Sequence, residues 1–500
     1  MTECISNHHL CSNVSGINRP GRLLEVSQGG QKLRLTSTND IPAGKEYVTL
    51  SHCWGGLVDC RLLGENYDAF SQSIPLTILP RTFRECVEAV SRLGFQYLWI
   101  DALCIIQDSE SDWLAESAKM GQIYEQGILN IAASASRNGR EGLFHFEKPL
   151  DLRFLSLPGA DDSSGDTFVV HGRHPFRKKV TKSVLNTRGW VLQERILSPR
   201  TVFFVQGEIF WECACKLAYE TLSDLVYTFD GTKIVKMKNA MNQDELLRRW
   251  DSIIRSYSEN DLTRGSDKLP ALSGLANHFA RRMNLDSDDY LAGLWRYKLE
   301  KSLWWRAFSS KNRVAHRRAP SWSWARYDGS IDMTQYFGTD RSISIRILKA
   351  QVERTPDPFG AVGPGFVTLQ GPLCRLKLAG TNKPSRADSS GYHTAAIEDG
   401  CITVPVPAII WDASTFQESH RGPLYLIFHG TRPFTGDHLC YSLVLQATTQ
   451  PGGHFERVGT TVMRLSSIND ALRLANNPET LEDHAYAAFD ENSGFTITIH

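Results

Sequence analysis

The tightest constraint on the fold of this chain lies between residues 46 and 135, where three short apolar runs alternate with two amphipathic stretches. EYVTLSHCW, starting at Glu46, is apolar and β-branched and empties into Gly55-Gly56, the pattern of a buried strand ending in a turn. Pro80 then opens RTFRECVEAVSRLG, where Phe83, Val87, Val90 and Leu93 recur at helical spacing and Gly94 supplies a C-terminal cap. YLWID reads as a second short strand. SDWLAESAKMGQIYEQG reads as one helix with a Ser/Asp N-cap, carrying Trp113, Met120, Ile123 and Tyr124 on one side. ILNIAAS is a third buried strand. This succession predicts an α/β layer with a mostly parallel sheet.

The polar, Gly-rich residues 1–45 read as an N-terminal lead-in with weak strands at 23–26 and 33–35. The α/β domain is expected over 46–215, with 156–186 as loop. Within TRGWVLQERILSPRTVFFVQGEIFWEC, a helix stops at Pro199 and two strands follow. Residues 240–306 show helical periodicity in DELLRRWDSIIRSYSEN, LPALSGLANHFARRMN and YLAGLWRYKLEKSLWW. Beyond APSWSWARYDG the pattern alternates and is rich in turns, so 320–500 is expected to be a β-rich domain. Several domains suit 500 residues, at roughly 150 per domain.

Composition narrows the function classes. With 41% hydrophobic and 22% charged residues the chain is expected to fold. Lys+Arg and Asp+Glu both number 55, which gives no whole-surface reason to bind nucleic acid or an anionic membrane. No apolar run approaches the ~18 residues of a membrane span, and no secretory signal opens the chain. Eleven cysteines, an odd number, argue for reduced thiols and a cytoplasmic location rather than a disulfide framework.

Familiar site signatures are missing: there is no GxGxxG after a strand, no GxxxxGK[ST], no HExxH and no GxSxG. Cys4, His8, His9 and Cys11 sit at a terminus expected to fray, and Cys213-x-Cys215 lacks zinc spacing and a second pair, so no metal is expected. His52 and Cys53 lie where the first strand meets its turn, as an activated thiol or as a buried thiol beside a capping imidazole. Asp101, Cys104, Gln107 and Asp108 follow the second strand, suited to ribose recognition or to helix capping. Cys53 and Cys104 are the candidate reactive thiols. Glu116 lies between apolar residues as a half-buried carboxylate and could pair with Arg188. Arg188-Gly189-Trp190 with Gln193-Glu194 is the densest cluster of site-like residues. Trp190 and Glu194, four apart, fall on one helix face, where an indole would disfavour the carboxylate's charge or simply pack beside it.

YVTLSHCWGG, LPRTFRECVEAVSRLGFQYLWIDALCIIQD, DWLAESAKMGQIYEQGILNIAAS and TRGWVLQERILSPR, in this order, resemble the heterokaryon incompatibility (HET) domain of filamentous fungi over roughly residues 47–200. DKLPALSGLA, YLAGLW and APSWSWA are similar to segments that follow the domain in many fungal members. The resemblance implies a role in programmed cell death after fusion of genetically unlike hyphae. It also implies a TIR-like, three-layer α/β domain, similar in organisation to the Toll and interleukin-receptor type, some of which cleave NAD. Those enzymes use a glutamate in a Trp-Cys-x-x-Glu stretch; Trp190-Val191-Leu192-Gln193-Glu194 keeps the Trp-to-Glu spacing without the Cys. By that similarity Glu194 is the catalytic candidate and NAD the candidate substrate, with no resident cofactor implied. Trp190 would stack on nicotinamide, and Asp101 or Arg188 would hold ribose and phosphates. Partners implied are a second copy of the chain or an incompatibility protein. The alternatives are a non-enzymatic self-associating signalling module and a tailoring enzyme of a fungal biosynthetic pathway. No Walker motif or repeat follows residue 200.

Overall fold

The structure is a computed structural model that describes residues 1–11, 19–56, 60–145, 155–158, 167–170, 176–220, 241–310, 318–333, 342–379, 393–398, 400–405, 409–413, 422–434, 437–465 and 467–500. The chain divides into two compact units, residues 1–241 with 260–262, and residues 242–259 with 263–500. No described helix is long and apolar enough to cross a membrane.

The first unit is built on an eight-stranded sheet of β1 (Arg22–Ser27), β2 (Lys32–Ser37), β3 (Val48–Ser51), β4 (Tyr97–Trp99), β5 (Leu129–Ala132), β8 (Arg200–Val205), β9 (Glu208–Cys213) and β10 (Leu217–Tyr219); β6 (Leu155–Pro158) and β7 (Thr167–Val170) form a separate antiparallel hairpin inside the segment expected to be loop. The strand order is β10-β9-β8-β5-β3-β4-β1-β2. β8, β5, β3 and β4 are mutually parallel. The short runs of β3, β4 and β5 are buried at every position, as central parallel strands covered on both faces must be.

The sheet is mixed rather than mostly parallel. Both flanks run antiparallel: tight turns reverse β1 into β2, β8 into β9 and β9 into β10, and β1 meets β4 antiparallel. Gly29 and Gly30, both at positive φ, turn β1 into β2, and Gly207 at φ 68° turns β8 into β9. The N-terminal lead-in therefore supplies two strands of the main sheet, since β1 pairs with β4.

Helix α1 (Thr2–Asn7) opens the chain and α2 (Tyr67–Gln72) precedes α3 (Arg81–Arg92). α3 buries Phe83, Cys86, Val87 and Val90, contributing roughly 1.5–3 kcal/mol per large side chain, and ends at Gly94 with φ 81°. Leu93, expected on the buried stripe, is exposed. After the one-turn α4 (Asp101–Cys104), the single expected second helix is two, α5 (Glu110–Ser117) and α6 (Met120–Gln126). The Lys119 N–H turns back to the Glu116 carbonyl, three residues away, and this tighter turn breaks the axis. α7 (Gly189–Leu197) packs against α6 and is followed by Pro199.

In the second unit α8 (Gln243–Ser258) starts on a reciprocal Asn242–Glu245 cap, and α9 (Ser273–Met283) closes on Asn284 in the left-handed region. The third expected helix is absent over 290–298. Tyr290–Leu291 and Leu294–Trp295 form a hairpin, and only Leu299–Ser302 is helical. Ala292 and Gly293 both take positive φ, and the Gly293 carbonyl accepts the indole N–H of Trp250 and of Trp324, each at 3.1 Å. Helical periodicity in this stretch reflects packing of large aromatics around a turn. The C-terminal region is β-rich, dominated by the long antiparallel strands Leu424–Phe434, Asp437–Ala447 and His454–Leu465.

Candidate functional site

From β3 the chain runs toward β4, whereas from β5 it runs toward β8 on the other side. The crevice at the C-terminal ends of β3 and β5 is therefore a topological switch point, where open α/β sheets bind ligands. Thr49 and Ser51, two apart on β3, share one face, and Thr49 lies in register with Asn130 of β5. The Thr49 hydroxyl donates to Asn130 Oδ1 at 3.1 Å, leaving Nδ2 to donate to Ser51 Oγ at 3.1 Å. With that acceptor site filled, the Ser51 hydroxyl donates to Glu194 Oε2 at 2.5 Å. The three side chains form a directional relay ending on one carboxyl.

Glu194 is delivered by α7, whose placement is over-determined. Its first residue, Gly189, donates to the Asp261 carbonyl at 2.8 Å, and Val191 packs in a core with Phe203 and Phe210. Arg195 pairs with buried Glu212 of β9 at 3.0 Å, and its guanidinium lies over the Phe176 ring. Glu194 is 6% exposed, and burial pushes its carboxyl up to about 7. The Ser51 bond opposes that rise, Asp101 adds to it, and Arg188 and the Tyr124 phenol oppose it. Tyr124 donates to the Leu50 carbonyl at 3.3 Å and is held neutral by burial. A carboxyl near 7 exists in both protonation states at neutral pH, which suits acid–base work.

Arg188 and Asp101 act electrostatically on this carboxyl. Arg188 donates to the His52 carbonyl. Asp101 Oδ1 accepts the Ala102 N–H at 2.7 Å, and Oδ2 accepts the Trp54 indole N–H at 2.8 Å. His52 Nδ1 lies 3.6 Å from Asp101, with Phe83 edge-on to the ring. Burial lowers the imidazole's pKa more than Asp101 restores it, so the ring is neutral. Trp190 is half-buried and meets Trp113 edge to face at 6.4 Å, and Trp54 is also half-buried. Indoles, a guanidinium and a carboxylate around a buried acid can stack an aromatic ring and bind hydroxyls or phosphates.

The structure thus brings Glu194, Arg188 and Asp101 within electrostatic reach, with Trp190 one turn before Glu194. Gln193 is fully buried, and neither atom of its amide has a hydrogen-bond partner among the described residues. Glu116 is elsewhere: it accepts the Gly21 N–H and pairs with Lys119, both at 3.1 Å, rather than with Arg188. Asp108 is exposed and accepts the Gly64 N–H at 3.0 Å, a loop-tying role. Cys53 and Cys104 are buried, and burial raises both thiols, Cys104 to about 12, so neither is a thiolate near neutral pH. Sequence reasoning missed Ser51, Asn130 and Tyr124. Their signal is the polar residues Thr49, Ser51 and Asn130 inside otherwise apolar strands, where each needs a partner.

A groove of about 390 Å³ in the same unit is lined by Gly29, Gly30, Leu76, Arg81 and Glu85 and does not include Glu194. At the opposite edge of the sheet, Cys4, His8 and Cys11 come together with Cys213, and His9 points outward, exposed. The terminus expected to fray is packed, because Cys4 and Cys11 are buried.

Residues 47–194 match the family model described as Heterokaryon incompatibility protein (HET), a span that ends on Glu194. No curated protein and no solved structure gives a match.

Proposed function

We propose that this chain, in which residues 47–194 form a HET domain, acts in heterokaryon incompatibility by hydrolysing NAD at the nicotinamide–ribose bond, with Glu194 at the centre. The HET domain suggests an incompatibility-type function; the reaction is our reading. What supports it is one observation: a buried carboxyl raised to about 7, hydrogen-bonded by Ser51, at the switch point of the sheet. The likeness of Trp190 to Glu194 to the glutamate stretch of TIR-type enzymes adds to it by analogy.

In the reaction the C1′–N bond breaks and its electron pair stays on the nicotinamide ring nitrogen, cancelling the ring's positive charge. The ribose carbon passes through an oxocarbenium-like state, which ionised Glu194 stabilises by charge and by accepting from ribose hydroxyls. Water adds to C1′, and the proton it loses goes to the carboxylate. Ser51 and Tyr124 hold that carboxylate in place. Trp190 stacks on the leaving ring, and Arg188 and Asp101 engage phosphate and ribose. Glu194 is buried in this state, so substrate reaches it only after the surrounding structure opens.

The cellular test is expression of the full chain and of Glu194→Ala in a fungal host, following viability and NAD content. The expected result is NAD loss and death with the first and neither with the second at equal soluble amount. Death without NAD loss, retained by Glu194→Ala, refutes the reading and favours self-association.

A second reading, a small-molecule tailoring function in the second unit, is favoured by a groove of about 850 Å³ lined by Arg326, Gln351, Phe366, Glu456 and His500. This volume suits a small organic ligand. Arg326 pairs with Glu456 at 3.3 Å, and the His454 and His500 ring nitrogens lie 2.6 Å apart. Under this reading Gln351→Trp, which fills the groove, abolishes function and Glu194→Ala leaves it intact.

A further inference from the structure

We propose that Cys4, His8, Cys11 and Cys213 bind one Zn²⁺ ion tetrahedrally, clamping the N-terminal segment onto the end of β9. The four ligand atoms lie within 4.8 Å of one another. His8 Nδ1 is 3.5 Å from Cys213 Sγ and 4.0 Å from Cys11 Sγ. A tetrahedral zinc with bonds of about 2.3 Å to sulfur and about 2.0–2.1 Å to nitrogen sets its ligands about 3.6–3.8 Å apart. The observed separations bracket that spacing before any ion draws the groups inward.

Each ligand is placed by local structure. α1 ends after Asn7, and the His8 N–H bonds the Cys4 carbonyl at 3.2 Å, stacking the imidazole one turn beyond the first thiol. The turn at His9–Cys11 then returns the chain, with the Cys11 N–H on the His8 carbonyl at 2.8 Å. Cys213 ends β9, and the Lys216 N–H of the following turn donates to its Sγ at 3.2 Å. A backbone N–H on a sulfur is the outer-shell contact that a metal thiolate uses. Cys4, Cys11 and Cys213 are 3%, 0% and 0% exposed.

Charge supports zinc rather than three neutral thiols. Three thiolates with Zn²⁺ leave one net negative charge, which a buried site must offset. Arg200, the first residue of β8 and 2% exposed, sets its Nε 3.3 Å from Cys4 Sγ and its Nη2 2.6 Å from the Cys11 carbonyl. Its guanidinium supplies that charge at the site. Three sulfurs and one nitrogen in a tetrahedral set select zinc among the common divalent ions. A disulfide would use two of the sulfurs and leave an imidazole and a third buried thiol converging without purpose. All four positions are protein ligands, so the site is structural rather than catalytic. Cys215, 3.9 Å from Cys11, lies outside the four-ligand set.

The test uses the full chain, purified under reducing conditions and analysed by mass spectrometry for metal. The expected result is one zinc per chain. After exchange into Co²⁺, thiolate-to-cobalt charge transfer and intense tetrahedral ligand-field bands should appear. Cys11→Ser and Cys213→Ser should retain less than about a tenth of the zinc, while Cys215→Ser keeps one ion and the same cobalt spectrum. Should the ligand variants fail to fold, the wild-type cobalt spectrum and a lowered Tm on chelation decide alone. A reduced, folded wild type that takes up neither zinc nor tetrahedral cobalt overturns the proposal. So does a zinc-free protein with a disulfide among Cys4, Cys11 and Cys213, or a Cys215→Ser variant that loses the metal.

Discussion

Glu194→Gln isolates the energetic consequence of burying this acid. The carboxyl rises from an ordinary 4.5 to about 7 because its ionised form is poorly solvated. Below about pH 4.5 both folded and unfolded chains carry the proton, and the group adds no pH dependence. Between 4.5 and 7 the unfolded chain releases the proton first, so native stability falls as pH rises; above about 7 the loss is complete. At about 1.4 kcal/mol per pH unit, the full effect is about 3 kcal/mol. Glutamine keeps a carbonyl to accept from Ser51 and cannot ionise. Relative to wild type, Glu194→Gln should therefore gain about 2.5 kcal/mol between pH 5 and pH 8.5, the first part of the loss lying below pH 5. Two units in one chain make a global two-state fit unsafe. The assay is urea unfolding read by pulsed hydrogen exchange on the peptide spanning Gly189–Leu197, which reports this region's own transition. A wild-type minus variant difference that stays flat across that pH range refutes the raised pKa and with it the acid–base argument.

Three further changes probe neighbouring parts of the structure. Ser51→Ala removes the bond that holds the Glu194 pKa down, so the titration of wild-type-like pH dependence should move to higher pH, with about 1–3 kcal/mol lost; the same exchange assay reads both. Gly293→Ala places a Cβ 2.7 Å from Trp324 Nε1 at φ 93°, and should cost at least about 2 kcal/mol in the second unit's unfolding, seen as a fall in its urea midpoint. Asp412→Asn strands the charge of Arg457, which is fully buried, bonded to Asp412 at 2.9 and 3.1 Å and stacked 3.4 Å over Trp305. It should cost about 3–5 kcal/mol, measured as a lower midpoint of that same transition.

What the sequence reveals here is local. The strands around Thr49, Leu98 and Ile131 and helix α3 are legible because short apolar runs and a 3.6-residue stripe report burial directly. The mixed character of the sheet is not, since weak strands such as β1 gain their place only by pairing with β4. The stretch after Tyr290 misleads because its aromatics recur at helical spacing while Ala292 and Gly293 turn the backbone out of a helix. Trp190 and Glu194 are visible as a pair on one helix. Their support is not: the Thr49–Asn130–Ser51 relay joins strands that are remote in sequence. The same holds for Cys213, whose imidazole and thiol neighbours lie at the other end of the unit's sequence. Spacing rules search along the chain and miss ligands that only folding brings together.

The most direct measurement is nicotinamide release from NAD by the purified, concentrated full chain, beside Glu194→Ala and Glu194→Gln with their folds checked by circular dichroism. The predicted result is release by the wild type and none by either folded variant. Equal release by all three, or none by a well-folded wild type, contradicts an NAD-cleaving centre at Glu194.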